Sequence, residues 1–88
     1  MPETHDIEIR RKRLRFRCWH RGSREADLLL GGFADRHLEG LDSAALAALE
    51  DLLTVDDPDI WDWALGRTPV PPAHDTVVMA LLRRQVAP

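Results

Sequence analysis

The densest chemical feature of the chain is cationic. Arg10, Arg11, Lys12, Arg13, Arg15 and Arg17 place six positive charges in eight residues, with Leu14 and Phe16 between them. Side chains at that density suit phosphate binding, on nucleic acid or on a cofactor. The competing reading is a solvated helix whose charge complements acidic residues of the same chain. Residues 1–25 carry a net +4, residues 26–66 a net −9 and residues 67–88 a net +2. The total of −3 is opposite in sign to that of most nucleic-acid-binding domains, so complementarity within the chain is favoured. Such a bipolar surface also steers and orients a charged partner.

Groupings that do covalent or metal chemistry are absent from the sequence. There is no Gly-x-Ser-x-Gly, no phosphate-cradling glycine loop and no zinc signature. His5, His20, His37 and His74 stand far apart, and none pairs with Cys18 at a ligand spacing. The carboxylate pairs Glu50-Asp51 and Asp56-Asp57 read as solvated helix ends. No catalytic residue and no metal site is expected. Trp61 and Trp63 stand two apart and so point about 200° away from each other on a helix. One is expected in the core, and the other partly exposed or packed on a neighbouring segment, where it would serve as an interface anchor. Trp19, beside Arg21, raises the same question.

The elements that position these residues follow from hydrophobic spacing. Asp6 to His20 is ambiguous. Leu14, Phe16 and Cys18 alternate as in a strand, yet Ile7, Arg11, Leu14 and Cys18 also fit one helical face. No second strand is evident, so the segment is read as helix. A second helix is expected over 23–38, with Ala26, Leu29, Leu30, Phe33 and His37 on one face. Gly31 and Gly32 inside it each cost roughly 1 kcal/mol relative to Ala, which points to a kink or a close helix approach. Asp42 or Ser43 caps a third helix lined by Leu46, Leu49 and Leu53. Asp57-Pro58 opens a fourth, with Asp57 as cap and Pro58 in the first helical position, and it ends near Gly66. Pro69, Pro71 and Pro72 stiffen the connector to a last helix over 74–85, whose inner side is Val77, Val78, Leu81, Leu82 and Gln85.

The expected fold is all-α, a small bundle of five short helices. Eighty-eight residues form one domain, its core at about 6–86, with 1–5 expected to be flexible. A chain this short buries only about 60–65% of its unfolded surface, which leaves little room for a deep, dry active site. The apolar share of 44% and charged share of 31% fit a folded soluble domain. No run of about 18 apolar residues is present to span a membrane. Glu3, Asp6 and Glu8 interrupt the arginine-rich start and count against a targeting segment. The single cysteine fits a reducing compartment. The expectation is a cytoplasmic protein, monomeric when free.

Arg21-Gly22-Ser23-Arg24-Glu25 falls at the junction of the first two helices. Local physics presents it as a capping corner. Gly22 ends one helix, Ser23 or Gly22 caps the next, and Glu25 lies in a first turn where negative charge is favoured and where it can pair with Arg21.

The same residues carry a family resemblance. Arg21, Gly22 and Glu25 match the Arg-Gly-x-x-Glu hallmark of the SdhE family of FAD assembly factors, also called succinate dehydrogenase assembly factor 2. Arg13 to Cys18 resembles the basic stretch before that motif, and Leu28 to Asp35 the helix after it. Asp56-Asp57-Pro58-Asp59-Ile60-Trp61-Asp62-Trp63 resembles the family's second signature. The match covers roughly residues 8–85; His20 departs from it, standing where many members have Arg.

The resemblance implies a non-enzymatic factor that binds the flavoprotein subunit of succinate dehydrogenase, with fumarate reductase as a further candidate client. It promotes attachment of FAD to a histidine of that partner and holds no cofactor stably itself. On this reading Gly22 allows close backbone approach. Arg21 and Arg24 donate to the partner, and Glu25 holds Arg21 or accepts from the partner. Arg17, Trp19, His20, Asp56, Asp57 and Trp61 are secondary contact candidates. A nucleic-acid binder using residues 10–17, and a direct FAD carrier, stand as alternatives. No glycine-rich dinucleotide loop supports the carrier.

Overall fold

The computed structural model describes residues 2–87, with side chains from Asp6 to Ala87. Five α-helices and no strand are found among the described residues. They are α1 (Pro2–Trp19), α2 (Arg24–His37), α3 (Ser43–Leu52), α4 (Asp57–Ala64) and α5 (Val77–Val86), with short 3-10 turns at Leu38–Gly40 and Pro72–His74. The helix starts at Pro2, ahead of the expected Asp6; Met1 lies outside the described residues. No helix among the described residues is long and apolar enough to cross a membrane.

The ambiguous first segment is a helix because its alternating residues divide between two sides. Leu14 and Cys18 are fully buried, while Phe16 is 64% exposed. Helix α1 packs antiparallel to α2, as the order of its links to later residues requires. Trp19 covers Gly31, Arg15 reaches Glu39, and Arg11 donates to the carbonyls of Leu38 and Leu41 at 3.2 and 3.0 Å. Half of the basic run is therefore fixed within the chain. Arg10 forks onto Glu50 at 2.8 and 3.3 Å and also donates to the Ser43 hydroxyl at 2.9 Å. Arg15 lies between Asp35 and Glu39.

The core forms where α2 and α3 meet the other helices. Leu30, Phe33, Leu46, Leu49, Ile60 and Leu82 are all essentially inaccessible. The caps are local. Asp42 accepts from the Ala45 N–H at 2.9 Å, and Thr76 from Met79 at 3.4 Å. Two sequence expectations are corrected. The last helix begins at Val77, because His74 belongs to a 3-10 turn that stacks on Trp63 at 5.3 Å. Val77 is 55% exposed rather than inward, lying about 140° round from Leu82, and Met79 is buried in its place. Both Trp61 and Trp63 are half-buried against the core, so neither is fully inside. Trp63 stacks on His74 of the 3-10 turn that follows the connector.

The two mid-helix glycines differ. A Cβ on Gly31 would lie 2.1 Å from the Trp19 ring, whereas one on Gly32 meets only Gln85, at an ordinary 3.8 Å. Only Gly31 marks a close approach. Gly31→Ala should therefore destabilise the fold by about 1–3 kcal/mol through overpacking, despite alanine's better helix propensity. Gly32→Ala should be neutral or stabilising. Urea unfolding of both variants checks the pair.

Candidate partner-docking corner

The corner between α1 and α2 is built by backbone requirements first. The chain must reverse direction in four residues after Trp19. Gly22 does this at φ +110°, a left-handed conformation that costs glycine little. Ser23 then returns to extended backbone, and its hydroxyl accepts from the Ala26 N–H at 3.2 Å, so Ser23 is the cap. Asp27, in the first turn of α2, faces back into the turn. One of its carboxylate oxygens accepts from the N–H of Arg21 at 2.5 Å and of Gly22 at 3.3 Å. The sequence reading did not single out Asp27. The available signal was an acidic residue four positions after a cap, where the helix dipole favours negative charge.

Arg21 does not pair with Glu25. Its guanidinium crosses to the junction of α3 and α4. There Nη1 donates to the Leu53 carbonyl at 2.7 Å, Nη2 to the Val55 carbonyl at 2.9 Å, and Nε to the Asp57 carboxylate at 2.9 Å. Nη2 also lies 2.8 Å from the same Asp57 oxygen. The physical reason is the end of α3. Carbonyls at a helix C-terminus lack intrahelical partners and attract a cation with several donors. Asp57 adds the countercharge. The side chains are only 14% and 23% exposed, so the pair is poorly screened by solvent. All three nitrogens of Arg21 are engaged, and its role here is to position the corner.

The same contact explains why Asp57 is not the cap of α4. Its carboxylate is committed to Arg21, so Asp57 is the first helical residue and Pro58 the second. Asp56 occupies the cap position, exposed and without a capping side-chain hydrogen bond. The two sequence signatures, 36 residues apart, thus meet in one ion pair.

The remaining candidates divide by accessibility. Arg24 and Glu25 are exposed and make no side-chain hydrogen bond or ion pair among the described residues. A Cβ at Gly22 would meet nothing within 4 Å, so the space over the glycine is open. Arg17 is exposed. His20 is exposed, stacked on Phe16 with ring centroids 4.0 Å apart, and donates from Nδ1 to the Phe16 carbonyl at 2.6 Å. Trp19 is half-buried and donates to Asp35 at 3.3 Å. Trp61, one turn into α4, packs on the core rather than standing free. The structure brings together Arg21, Gly22 and Asp57, and leaves Arg24 and Glu25 projecting beside them.

Cys18 lies immediately before the corner and is fully buried. Burial pushes its thiol up to about 11, outweighing the lowering influence of Arg21, Arg17 and Arg15 nearby. It is a packing residue. A depression of about 530 Å³ lies along α1 between Glu8 and Glu39, away from the corner.

A five-helix fold with a clamped corner and exposed ionic side chains defines a small all-α protein without a deep cleft at that corner. The comparisons with known proteins agree with that class. Residues 12–86 match the family described as Flavinator of succinate dehydrogenase. The FAD assembly factor SdhE of Acetobacter pasteurianus is 38% identical over 81 residues, covering 92% of this chain and 72% of that protein. Succinate dehydrogenase assembly factor 2-B, mitochondrial, of Drosophila persimilis is 38% identical over 82 residues, covering 91% of this chain and 52% of the relative. The assembly factor 2 of Dictyostelium discoideum is likewise 38% identical, over 81 residues, with 57% of its length covered. The chain belongs to this family. It spans little more than half the length of these mitochondrial relatives.

Two outcomes are expected at the corner. Asp57→Ala should lower unfolding free energy by about 1–3 kcal/mol, since it leaves a mostly buried guanidinium short of an acceptor; urea titration measures this. Cys18 should resist a disulfide reagent at pH 8, well below its raised pKa, and react fully in denaturant. Fast labelling of the native protein would contradict the packing described.

Proposed function

We propose that this chain binds the flavoprotein subunit of succinate dehydrogenase and promotes covalent attachment of its FAD, without itself catalysing the bond. The observation that carries the reading is the open face of Gly22. It lies on a corner held rigid by Arg21 and Asp57 and is flanked by the unpaired Arg24 and Glu25. The names of its relatives, FAD assembly factor and succinate dehydrogenase assembly factor, support the assignment of client and cofactor.

The mechanism follows from what such a corner offers. It can bind a partner tightly in one orientation. Arg24 forks onto carboxylate or carbonyl groups in a way Lys cannot copy, and Glu25 accepts from donors. Binding that favours one conformer of the flavoprotein shifts its population toward that conformer. If that conformer aligns the partner's histidine with the flavin, the barrier to their bond falls through orientation alone. The chain supplies no acid or base in this scheme. FAD remains with the partner throughout.

Arg21 has a different task from the one its sequence suggested. It fixes the corner from behind, while Gly22, Arg24 and Glu25 form the contact surface. The nucleic-acid alternative loses support because Arg10, Arg11 and Arg15 are spent on acceptors of the same chain.

Co-expression with the flavoprotein tests the reading. Glu25→Ala should leave the helical fold intact and reduce covalent flavin, read by in-gel fluorescence, about tenfold or more if the contact is worth the energy of an interface hot spot. Gly22→Arg should do the same, because its side chain would project outward from strained backbone into the docking space. Undiminished flavin with folded variants of both would overturn the proposal.

A further inference from the structure

Helix α1 carries a second aromatic face that its packing does not use. Leu14 and Cys18 point into the core, and Phe16 lies about 160° round the helix from each. At 64% exposure, Phe16 is the most exposed large hydrophobic side chain among the described residues. One exposed apolar residue means little on its own. Phe16 is not isolated, however. His20 stacks on it one turn later, and the half-buried Ile9 lies two turns earlier on the same stripe. With Lys12, Arg15 and Trp19 these two rings line an open depression of about 370 Å³.

The parts of this shelf are ordered. His20 is held by donation from Nδ1 to the Phe16 carbonyl. Trp19 is pinned over Gly31 and tied to Asp35, and Arg15 is tied to Asp35 and Glu39. The cations around the shelf are not neutralised. Lys12, Arg13 and Arg17 are exposed and form no ion pair among the described residues, in contrast to Arg10 and Arg15. Rigid aromatic groups rimmed by unpaired positive charge suit an acidic segment that carries an apolar side chain. His20 also precedes Arg21 directly, so the shelf is continuous with the corner.

We propose that the Phe16–His20 shelf is a second docking surface, taking an acidic, apolar-anchored segment of the same protein partner that the corner engages. The inference rests on the reading of the chain as a flavoprotein-binding factor. Phe16 inserts an aromatic anchor, and Lys12, Arg13 and Arg17 steer and orient the segment. Two contacts set along one rigid helix and its corner fix the partner's orientation as well as its position, which a single contact leaves free.

The experiment measures binding of the purified flavoprotein to the full chain, wild type and Phe16→Ala, at low and high salt. Phe16 is outside the core, so the variant should keep its helical circular dichroism and unfolding midpoint. The expected result is a weakening of about tenfold or more, as for an aromatic hot spot. Lys12→Ala with Arg17→Ala should weaken binding at low salt and flatten its salt dependence. If wild type binds and Phe16→Ala binds equally well, the shelf is overturned while the corner stands. If wild type does not bind, the functional reading itself fails. Sedimentation of the chain alone supplies the other control. A dimer lost in Phe16→Ala would assign the shelf to self-association and overturn the proposal. Oligonucleotide retention lost in the same variant would also overturn it.

Discussion

The Arg21 guanidinium stands between the end of α3 and the start of α4. The carbonyls of Leu53 and Val55, just past the end of α3, face the guanidinium, and Asp57 opens α4 with a carboxylate. Arg21 answers both, and does so from the one turn that joins α1 to α2. Together with the Arg10 fork onto Glu50 and Ser43, this contact ties α1 and α2 to α3 and α4. The exposed groups beside Arg21 take their geometry from that contact.

A single clamp of this kind creates a division of labour within one short motif. The arginine is turned inward and its donors are spent, so it governs shape. The glycine has open space above it, which on the proposed reading admits the partner. Arg24 and Glu25 project without internal partners among the described residues, which on the proposed reading leaves them to the flavoprotein. Asp27 ties the turn from the other side by accepting two consecutive N–H groups. A corner that must present charged side chains accurately benefits from being over-determined, because less ordering is then left to be done on binding.

The basic run of α1 follows the same logic at larger scale. Its charges are not equivalent. Arg10, Arg11 and Arg15 hold the hairpin of α1 and α2 and the start of α3, meeting the acidic middle of the chain. Lys12, Arg13 and Arg17 remain on the outer side. One stretch of sequence thus serves both cohesion and surface potential, and the helical period alone separates the two.

The helical class, the positions of all five helices to within about four residues, and the corner at Gly22 were legible in the amino-acid sequence. These follow from local physics: apolar spacing, short polar caps, proline at a helix start, and glycine where backbone turns left-handed. The family signatures were also legible, and so were the exposed Arg24 and Glu25. Tertiary structure decided what no local rule could. Whether Arg21 pairs four residues away or thirty-six depends on where the end of α3 lies in space, and that depends on the packing of the whole core. The same holds for Asp57, which gave up the cap because a distant cation claimed its carboxylate. It holds too for Gly31, whose purpose is visible only once Trp19 is laid across it. Side chains on neighbouring turns reveal themselves by spacing, but a long-range ion pair leaves no period in the sequence from which to read it.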